Sequence, residues 1–195
     1  MAKALIKQTV STIVSRYLEL YPDEKQRLDR LQTVLDGNNS IHLRSNMQGH
    51  MTASALILSE DKILMIHHKT LDKWLCPGGH FDIEDEYLWV TAKREASEET
   101  GIAGEKLRLH QWHIDNDMSP LDIDSHAIPA NPQKNEGRHY HFDFRYVFSV
   151  QNKENIHLAL NEVTDFKWIK IEEINENYSL NSLKSKIKKF LNNNL

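Results

Sequence analysis

The stretch GGHFDIEDEYLWVTAKREASEETGI, residues 78–102, is the part of this sequence that most directly decides the fold. Each residue of a helix advances about 100° around the axis, so Glu95, Glu98 and Glu99 would share an arc of roughly 100°. Carboxylates three or four residues apart on a helix repel each other. Such crowding is useful where a cation binds, and oxygen ligands favour Mg²⁺ or Mn²⁺. The pattern therefore predicts a metal-binding acidic face, against the default of a solvated charged surface.

The same stretch resembles the Nudix box, which is a glycine, five residues, a glutamate, seven residues and then Arg-Glu-apolar-any-Glu-Glu-any-Gly-apolar. Residues 94–102 match every fixed position, and Glu86 stands eight positions before Arg94, as the pattern requires. Gly79 precedes Glu86 by seven positions rather than six, so the loop holds one extra residue. Asp85 fills the glutamate position in the alternative alignment, and the sequence leaves the choice between the two acids open.

The resemblance implies an α/β fold, the Nudix-type α/β/α sandwich, in which a mixed sheet lies between layers of helices. The hydrophobic pattern agrees and predicts strands over residues 51–58, 63–66, 107–114, 139–150 and 166–171. A helix is predicted over residues 86–100, and Gly101 is expected to end it in the left-handed conformation. The polar residues 120–129 are expected to form a long loop. A final helix is predicted over residues 179–191, with Ser179 as its N-cap.

Two further helices are predicted before the strands begin, because apolar residues recur at three- and four-residue steps within residues 6–21 and 28–35. We therefore divide the chain into an N-terminal helical extension, residues 1–45, and a Nudix domain, residues 46–195. The apolar faces of the extension are expected to pack on the domain or on another subunit, and the pattern leaves a homodimer open.

Composition limits the class of protein and its partners. The 195 residues include 39% hydrophobic and 27% charged residues, which fits a core of ordinary size with a hydrated surface. The net charge of −4 gives no bulk attraction to nucleic acid or anionic membranes, so neither is expected as a partner. No apolar run approaches the roughly 20 residues of a membrane span. Cys76 is the single cysteine, which predicts a buried structural thiol and a cytoplasmic location.

Cleavage of a diphosphate bond needs neutralised phosphate oxygens and a water directed at phosphorus, and divalent metals provide both. By resemblance, Glu98 and Glu99 are the expected ligands of Mg²⁺ or Mn²⁺, and Glu95 is the expected ligand or proton acceptor. Arg94 is expected to orient a carboxylate through a bidentate pair. Glu86 is expected to fix that geometry or to bind metal, and an ordinary ion pair between Glu86 and Arg94 is the alternative.

The resemblance also implies metal ligands outside the helix. The first glycine of the box often contributes its carbonyl oxygen in this family, which assigns that role to Gly78. Nudix proteins often take a further acidic ligand or base from a later loop, and Glu162 stands at the corresponding place ahead of Trp168. Glu136 is the competing choice for this acid.

Polar residues alternate with aromatic residues along the strand predicted at 139–150. The aromatic residues are expected to face the core, which leaves the polar ones together on the other face. These polar residues are His139, His141, Asp143 and Arg145. With His126 from the preceding loop, they are expected to line a substrate pocket in which Arg145 contacts a phosphate. A solvated strand face and a zinc site formed by the histidines are the alternatives.

These features favour a metal-dependent hydrolase of a nucleotide-type small molecule, namely a nucleoside diphosphate linked to another moiety. The implied reaction is attack of water on phosphorus, which cleaves the pyrophosphate bond. The alternative is a catalytically silent Nudix-fold module that binds nucleotides or regulates a partner, and the intact glutamates favour the enzyme. An isoprenoid diphosphate isomerase is disfavoured, because that subfamily relies on a cysteine at a different position.

Overall fold

The computed structural model describes residues 2–37, 40–132, 136–151 and 156–194 of the chain. The helices within these ranges are α1 (Ala2–Leu20), α2 (Asp29–Asp36), α3 (Leu88–Thr100), α4 (Gln111–Asp115) and α5 (Lys184–Asn194). None of these helices is long and apolar enough to cross a membrane. The strands are β1 (His50–Ser59), β2 (Lys62–His68), β3 (Lys73–Leu75), β4 (Gly78–His80), β5 (Arg108–Leu109), β6 (Asp122–Ile128), β7 (His139–Ser149) and β8 (Val163–Lys170).

The strands form a mixed sheet whose centre is the parallel pair of β1 and β7. On its other side, β1 is antiparallel to β2 and β4, and β2 continues the sheet to β3 and β8. β7 is antiparallel to β5 and β6. Both strands are buried along most of their length, and β1 is largely apolar whereas β7 alternates aromatic with polar residues. The predicted mixed sheet is confirmed.

Helices cover both faces of this sheet. One face packs against α1, α2 and α3 in a cluster that includes Val14, Leu31, Ala55, Ala96 and Phe144. The opposite face packs against α5 in a second cluster that includes Leu56, Met65, Val147, Leu183, Ile187 and Phe190. The predicted α/β/α sandwich is therefore confirmed, and α1 and α2 share their core with the sheet. The domain boundary at residue 45 stays a prediction.

Residues 107–114, predicted as one strand, form β5 and then α4. The buried side chain of His113 explains the change of direction. Its Nδ1 lies 2.7 Å from the carbonyl oxygen of Ser119, and its Nε2 accepts the backbone N–H of Val147 at 2.8 Å. Both ring nitrogens find these partners because the chain turns after β5, so a continuous strand was the wrong prediction.

Residues 120–129, predicted as a loop, contain β6. This strand pairs with β7 along its length, from Asp122 opposite Arg145 to Ile128 opposite His139. The polar residues of β6 hid the strand from the sequence pattern, because the groups that neutralise them lie on β7 and not nearby in the chain.

Two helices begin later than predicted. Ser179 donates its backbone N–H to the carbonyl oxygen of Trp74 at 3.2 Å and caps no helix, and a 3₁₀ turn over Asn181–Leu183 precedes α5. Helix α3 begins at Leu88 rather than residue 86, because the preceding segment is held in a turn in which the N–H of Asp85 donates to the carbonyl of Asp82.

Candidate metal-dependent active site

Helix α3 carries the predicted metal ligands and is fixed against the sheet. Its residues Leu88, Ala92 and Ala96 are buried in the core shared with β1 and β7. Gly101 ends the helix with a φ of +70°, so the predicted left-handed cap is confirmed. A Cβ at Gly101 would lie 2.7 Å from the carbonyl oxygen of His157, which also favours glycine. The helix therefore has a fixed end, and its acidic residues are held beside β4.

Arg94 connects the acidic residues of the site. Its Nε lies 3.2 Å from both carboxylate oxygens of Asp85, and its Nη2 lies 2.9 Å from Oδ2. Its Nη1 lies 2.9 Å from Glu95 Oε1 and 3.3 Å from Glu98 Oε2. Nη2 also donates to the carbonyl oxygen of His80 at 3.1 Å. A single guanidinium thus orients the carboxylates around it and joins them to β4.

Asp85, rather than Glu86, is the acidic partner of Arg94. Asp85 is buried, and its Oδ2 also accepts the hydroxyl of Thr91 at 2.9 Å. Glu86 is exposed. Asp85 stands six positions after Gly79, which is the spacing of the family pattern, so the extra residue lies between Asp85 and α3 rather than before it. The predicted pairing of Glu86 with Arg94 is therefore replaced by the alternative that the sequence left open.

Glu99 is a deeply buried acid, with 4% of its surface exposed. Its Oε2 accepts the backbone N–H of Gly78 at 2.9 Å. Burial raises the pKa of Glu99 to about 8, although the N–H of Gly78 opposes this shift. Nearby carboxylates raise the pKa further: Glu95, Glu162 and Glu98. A divalent cation beside Glu99 would reverse the shift, because it favours the charged form of the carboxyl.

Glu95 lies between Arg94 and the glycines of β4. A Cβ at Gly79 would collide with the carboxylate of Glu95, so this glycine leaves the space that the carboxylate occupies. Burial raises the pKa of Glu95, and the charge of Arg94 lowers it. The side chain of Glu98, by contrast, is 58% exposed. One side of α3 therefore presents carboxylates at graded depths, from solvent to the core.

Glu162 approaches these carboxylates from the loop before β8. The loop is tied to the end of α3, where the N–H of Ala159 donates to the carbonyl oxygen of Glu99 at 3.2 Å. The charge of Glu162 contributes to the raised pKa of both Glu99 and Glu95. Glu136, the competing choice, pairs with Arg44 at 2.7 Å. Of the two loop acids, Glu162 is the one whose charge acts on acids of α3, and its role as a ligand stays a prediction.

The donor set of this site fits a hard divalent cation. Carboxylate and carbonyl oxygens are the ligands that Mg²⁺ and Mn²⁺ prefer. Burial is the main cause of the raised pKa of Glu99, and the neighbouring carboxylates add to it, so a cation beside Glu99 would relieve both effects. Gly78 contacts Glu99 through its N–H. The ligand role of its carbonyl oxygen stays a prediction, as do the identity of the ion and the full ligand set.

Arg145 lies in a buried ion network. It is 7% exposed, and its guanidinium pairs with Asp143 at 2.9 Å, Asp122 at 3.1 Å and Asp124 at 3.0 Å. Asp143 in turn accepts the hydroxyl of Ser54 at 2.8 Å. Each guanidinium nitrogen therefore already has a carboxylate partner, so the predicted phosphate contact of Arg145 and the predicted substrate contact of Asp143 do not fit. The polar face of β7 exists as predicted, but protein groups cover this part of it.

The predicted substrate-contacting histidines lie further along the same face. His139 and His141 of β7 pack around His50 of β1, and each ring centroid lies 4.8 Å from that of His50. His80 of β4 and His126 of β6 pack against His141 at 5.0 and 5.8 Å. Burial lowers the pKa of His80 to about 4 and that of His141 to about 2. His50 and His80 were missed from the sequence because only strand pairing brings them beside β7.

Cys76 is buried, as predicted. Its Sγ lies 4.0 Å from Sδ of Met65 in the cluster beneath α5. Burial raises the pKa of the Cys76 thiol to about 12, so the thiolate needed for nucleophilic catalysis is disfavoured at neutral pH.

Solved structures of Nudix proteins share this fold. A C. elegans Ap4A hydrolase binary complex is similar with a TM-score of 0.56 and 22% identity, over 73% of this chain and 98% of that one. The E. coli dihydroneopterin triphosphate pyrophosphohydrolase is similar with a TM-score of 0.55 and 19% identity, over 73% of this chain and 95% of that one. At these identities, the two structures support the fold alone.

Sequence similarity gives the family. A probable DHNTP pyrophosphohydrolase of Lactococcus lactis subsp. cremoris (strain MG1363) is 31% identical over 144 residues, which are 73% of this chain and 80% of that protein. The family model of the NUDIX domain matches residues 49–192. The match contains the whole box, with its arginine, its glutamates and its terminal glycine. The chain therefore belongs to the Nudix hydrolase family.

Proposed function

We propose that the protein is a Mg²⁺-dependent hydrolase that cleaves a pyrophosphate bond in a nucleoside diphosphate linked to another moiety. The observation that carries this proposal is the group of acids on α3, in which Glu95 and Glu98 contact Arg94 and Glu99 contacts the backbone of β4. The charge of Glu162 acts on the same group. These acids repel a phosphate-bearing substrate, so a divalent cation is required between the carboxylates and the phosphates. Family membership supports hydrolysis as the reaction.

The proposed ligands are Glu98, Glu99 and Glu162, together with the carbonyl oxygen of Gly78. When bound, Mg²⁺ or Mn²⁺ neutralises phosphate oxygens and lowers the pKa of a bound water. Glu95 is the proposed further ligand or acceptor of the proton from the attacking water. Its raised pKa supports the second role, because a general base works best with a pKa nearer to the operating pH.

Arg94 acts in this proposal as a positioning residue. Its guanidinium contacts Glu95 and Glu98, and Asp85 holds it from the opposite side. Because these contacts already fix the carboxylates, less conformational entropy is lost when the substrate binds. Glu86 has no part in the proposal, because it is exposed and Asp85 makes the contact predicted for it.

The bacterial relative guides the choice of substrate. Its name makes dihydroneopterin triphosphate the first compound to test. Ap4A serves as a comparison compound, because the protein that carries that name shares only the fold with this chain. The expected partner is therefore a nucleotide-like small molecule.

The setting proposed for this activity is the cytoplasm. Cys76 is the single cysteine and is buried, and the net charge is −4, which gives no electrostatic attraction to nucleic acid. The buried apolar residues of the N-terminal extension pack on its own domain. A homodimer stays a prediction.

A panel assay tests the proposed activity. Dihydroneopterin triphosphate, Ap4A, nucleoside triphosphates and sugar nucleotides are incubated with the protein and Mg²⁺, Mn²⁺ or a chelator, and phosphorus-containing products are measured. We expect metal-dependent turnover of at least one compound. Glu98→Gln and Glu99→Gln should each lower kcat/KM by about 10²-fold, as expected when charge stabilisation in the transition state is lost.

Glu105→Gln is the matched control, because Glu105 is an exposed acid on the 3₁₀ turn after α3. Its activity should equal that of the wild type. Binding of nucleotides without turnover of any compound would instead support the silent module, and turnover that survives Glu99→Gln would contradict the assigned site.

A further inference from the structure

We propose that His50, His139 and His141 form a second metal site, which takes a borderline transition-metal dication such as Zn²⁺. One nitrogen from each ring lies within 4.8 Å of the others. The proposal is independent of the proposed function, since the donors are imidazole nitrogens rather than the carboxylates of α3. Nitrogen donors select Zn²⁺ and its first-row neighbours over Mg²⁺.

The sheet register places these rings on one face. His50 of β1 is the partner of His141 in the parallel pairing with β7. His139 precedes His141 by two residues, so both side chains point to the same face of the sheet. On β4, His80 pairs with Thr52 of β1. Thr52 lies two residues after His50, so the ring of His80 is brought to the same face of the sheet. The cluster is therefore a product of strand pairing between distant segments.

Backbone contacts fix the tautomers of His50 and His139. Nδ1 of His50 lies 3.3 Å from the carbonyl oxygen of Asn46, and Nδ1 of His139 lies 2.8 Å from that of Gly137. A carbonyl oxygen only accepts, so Nδ1 carries the hydrogen and Nε2 keeps a free lone pair in each neutral ring. Metal-binding histidines show this pattern, in which the second nitrogen donates to a backbone carbonyl.

The Nε2 atoms of these rings lie inside the cluster. Nε2 of His50 is buried and has no hydrogen-bond partner within the described part of the chain. An unsatisfied buried acceptor is unfavourable, and a metal ion would satisfy it. Nε2 of His139 lies 3.1 Å from Nε2 of His141. Two nitrogens bound to one tetrahedral zinc lie roughly 3.3 Å apart, so this pair is already close to chelating distance.

Water or His80 is the proposed fourth ligand. The rings of His80 and His141 lie 5.0 Å apart, and both side chains are partly exposed. An ion can therefore reach the three inner nitrogens from this side, and water or His80 completes the coordination. Three protein ligands with an open position are typical of zinc sites at which a further ligand binds.

Zn²⁺ and Co²⁺ titrations of the full-length protein test the proposal. The protein is first stripped with a chelator and carries Glu98→Gln and Glu99→Gln, so that the carboxylate site is silenced. We expect one equivalent of Zn²⁺ by calorimetry, and an intense visible Co²⁺ spectrum of four- or five-coordinate nitrogen ligation. His50→Gln, His139→Gln and His141→Gln should each weaken Zn²⁺ binding by at least about tenfold.

His67→Gln is the matched control, because His67 is a partly buried strand histidine that pairs with Thr164 and lies outside the cluster. It should bind Zn²⁺ like the parent. Three results would each overturn the proposal. They are no stoichiometric uptake of Zn²⁺, Zn²⁺ uptake that is unchanged in the three cluster variants, and the weak cobalt spectrum of octahedral coordination. Should the cluster variants unfold, the cobalt spectrum of the parent protein decides.

Discussion

The buried carboxyl of Glu99 makes the stability of the metal-free protein depend on pH. Its pKa is about 8 in the folded protein, against an ordinary value of 4.5, so the folded state binds this proton more tightly than the unfolded state. The contribution of this proton to the free energy of unfolding is fully present below pH 4.5 and is lost as the pH rises through about 8. We expect the Tm of chelator-treated protein to fall across this window, and Glu99→Gln to remove most of the fall.

Mg²⁺ should act in the opposite direction. A metal ion binds the ionised carboxylate, so saturating Mg²⁺ restores stability most strongly at the alkaline end of the window. Thermal denaturation of wild type and variant, with Mg²⁺ and with chelator, measures both effects. Parallel pH profiles of the two proteins without metal would show that Glu99 is not the titrating group.

Gly79 sets the position of Glu95. A Cβ at Gly79 would enter the space of the Glu95 carboxylate, so Gly79→Ala should displace this side chain and lower kcat by about 10²-fold. Gly104→Ala is the matched control, because a Cβ there would meet only Cε of Lys93 at 3.7 Å. Steady-state kinetics and circular dichroism of both variants check the prediction. Equal kcat values in folded Gly79→Ala and wild type would contradict it.

Residues that the box pattern fixes were predictable, whereas their partners were less so. The arc of Glu95, Glu98 and Glu99 and the cap at Gly101 follow from spacing on one helix. The choice between Asp85 and Glu86 depends on which acid turns towards the guanidinium of Arg94, and a one-residue shift in a loop decides that. Spacing alone carried no information about that direction.

At the level of elements, Asp85 anchors the start of α3. It accepts hydrogen bonds from Arg94 and from the hydroxyl of Thr91, and it is buried. Asp85→Ala should therefore lower the free energy of unfolding by about 2–4 kcal/mol, because a buried pair loses one partner. Glu86→Ala should change it by less than about 0.5 kcal/mol, since Glu86 is exposed. Urea denaturation measures both, and equal losses would refute the assignment.

Elements with a clear apolar pattern were predictable, and elements that depend on distant partners were not. β1 and β2 follow from their apolar runs, and β7 follows from the alternation of its aromatic and polar residues. β6 reads as a loop because its aspartates are neutralised by Arg145 of β7. The turn into α4 depends on His113, whose partners lie six and thirty-four residues away.

On the scale of the whole molecule, Asp122 joins the two helical layers to the sheet. This carboxylate is 1% exposed and contacts basic groups from three parts of the chain: Arg27 at 2.7 Å, Lys186 at 3.0 Å and Arg145 at 3.1 Å. Arg27 follows α1, Lys186 belongs to α5 and Arg145 to β7. The network therefore ties both ends of the chain to the central strands.

Removal of this charge should loosen the whole fold. Asp122→Asn removes the buried carboxylate on which these three cations converge, although each cation keeps a second carboxylate partner. The change is expected to cost about 2–4 kcal/mol. Glu172→Gln is the matched control: it breaks a 2.6 Å pair with Lys188 in which Glu172 is 73% exposed, and should cost less than about 1 kcal/mol. Chemical denaturation compares the two variants. Similar small losses in both would show that the network contributes little to stability.

Calorimetry of Mg²⁺ and Mn²⁺ binding to the metal-free protein tests the central assignment most directly. The titrations are made in buffers of different ionisation enthalpy, so that proton release is measured as well. We expect binding accompanied by proton release below about pH 8, where Glu99 is protonated before the metal arrives. Glu99→Gln and Glu162→Gln should each weaken uptake by at least about tenfold, whereas Glu105→Gln should bind as the wild type does. Absence of uptake, or uptake that is the same in all of these proteins, would contradict a metal site formed by α3 and the loop before β8.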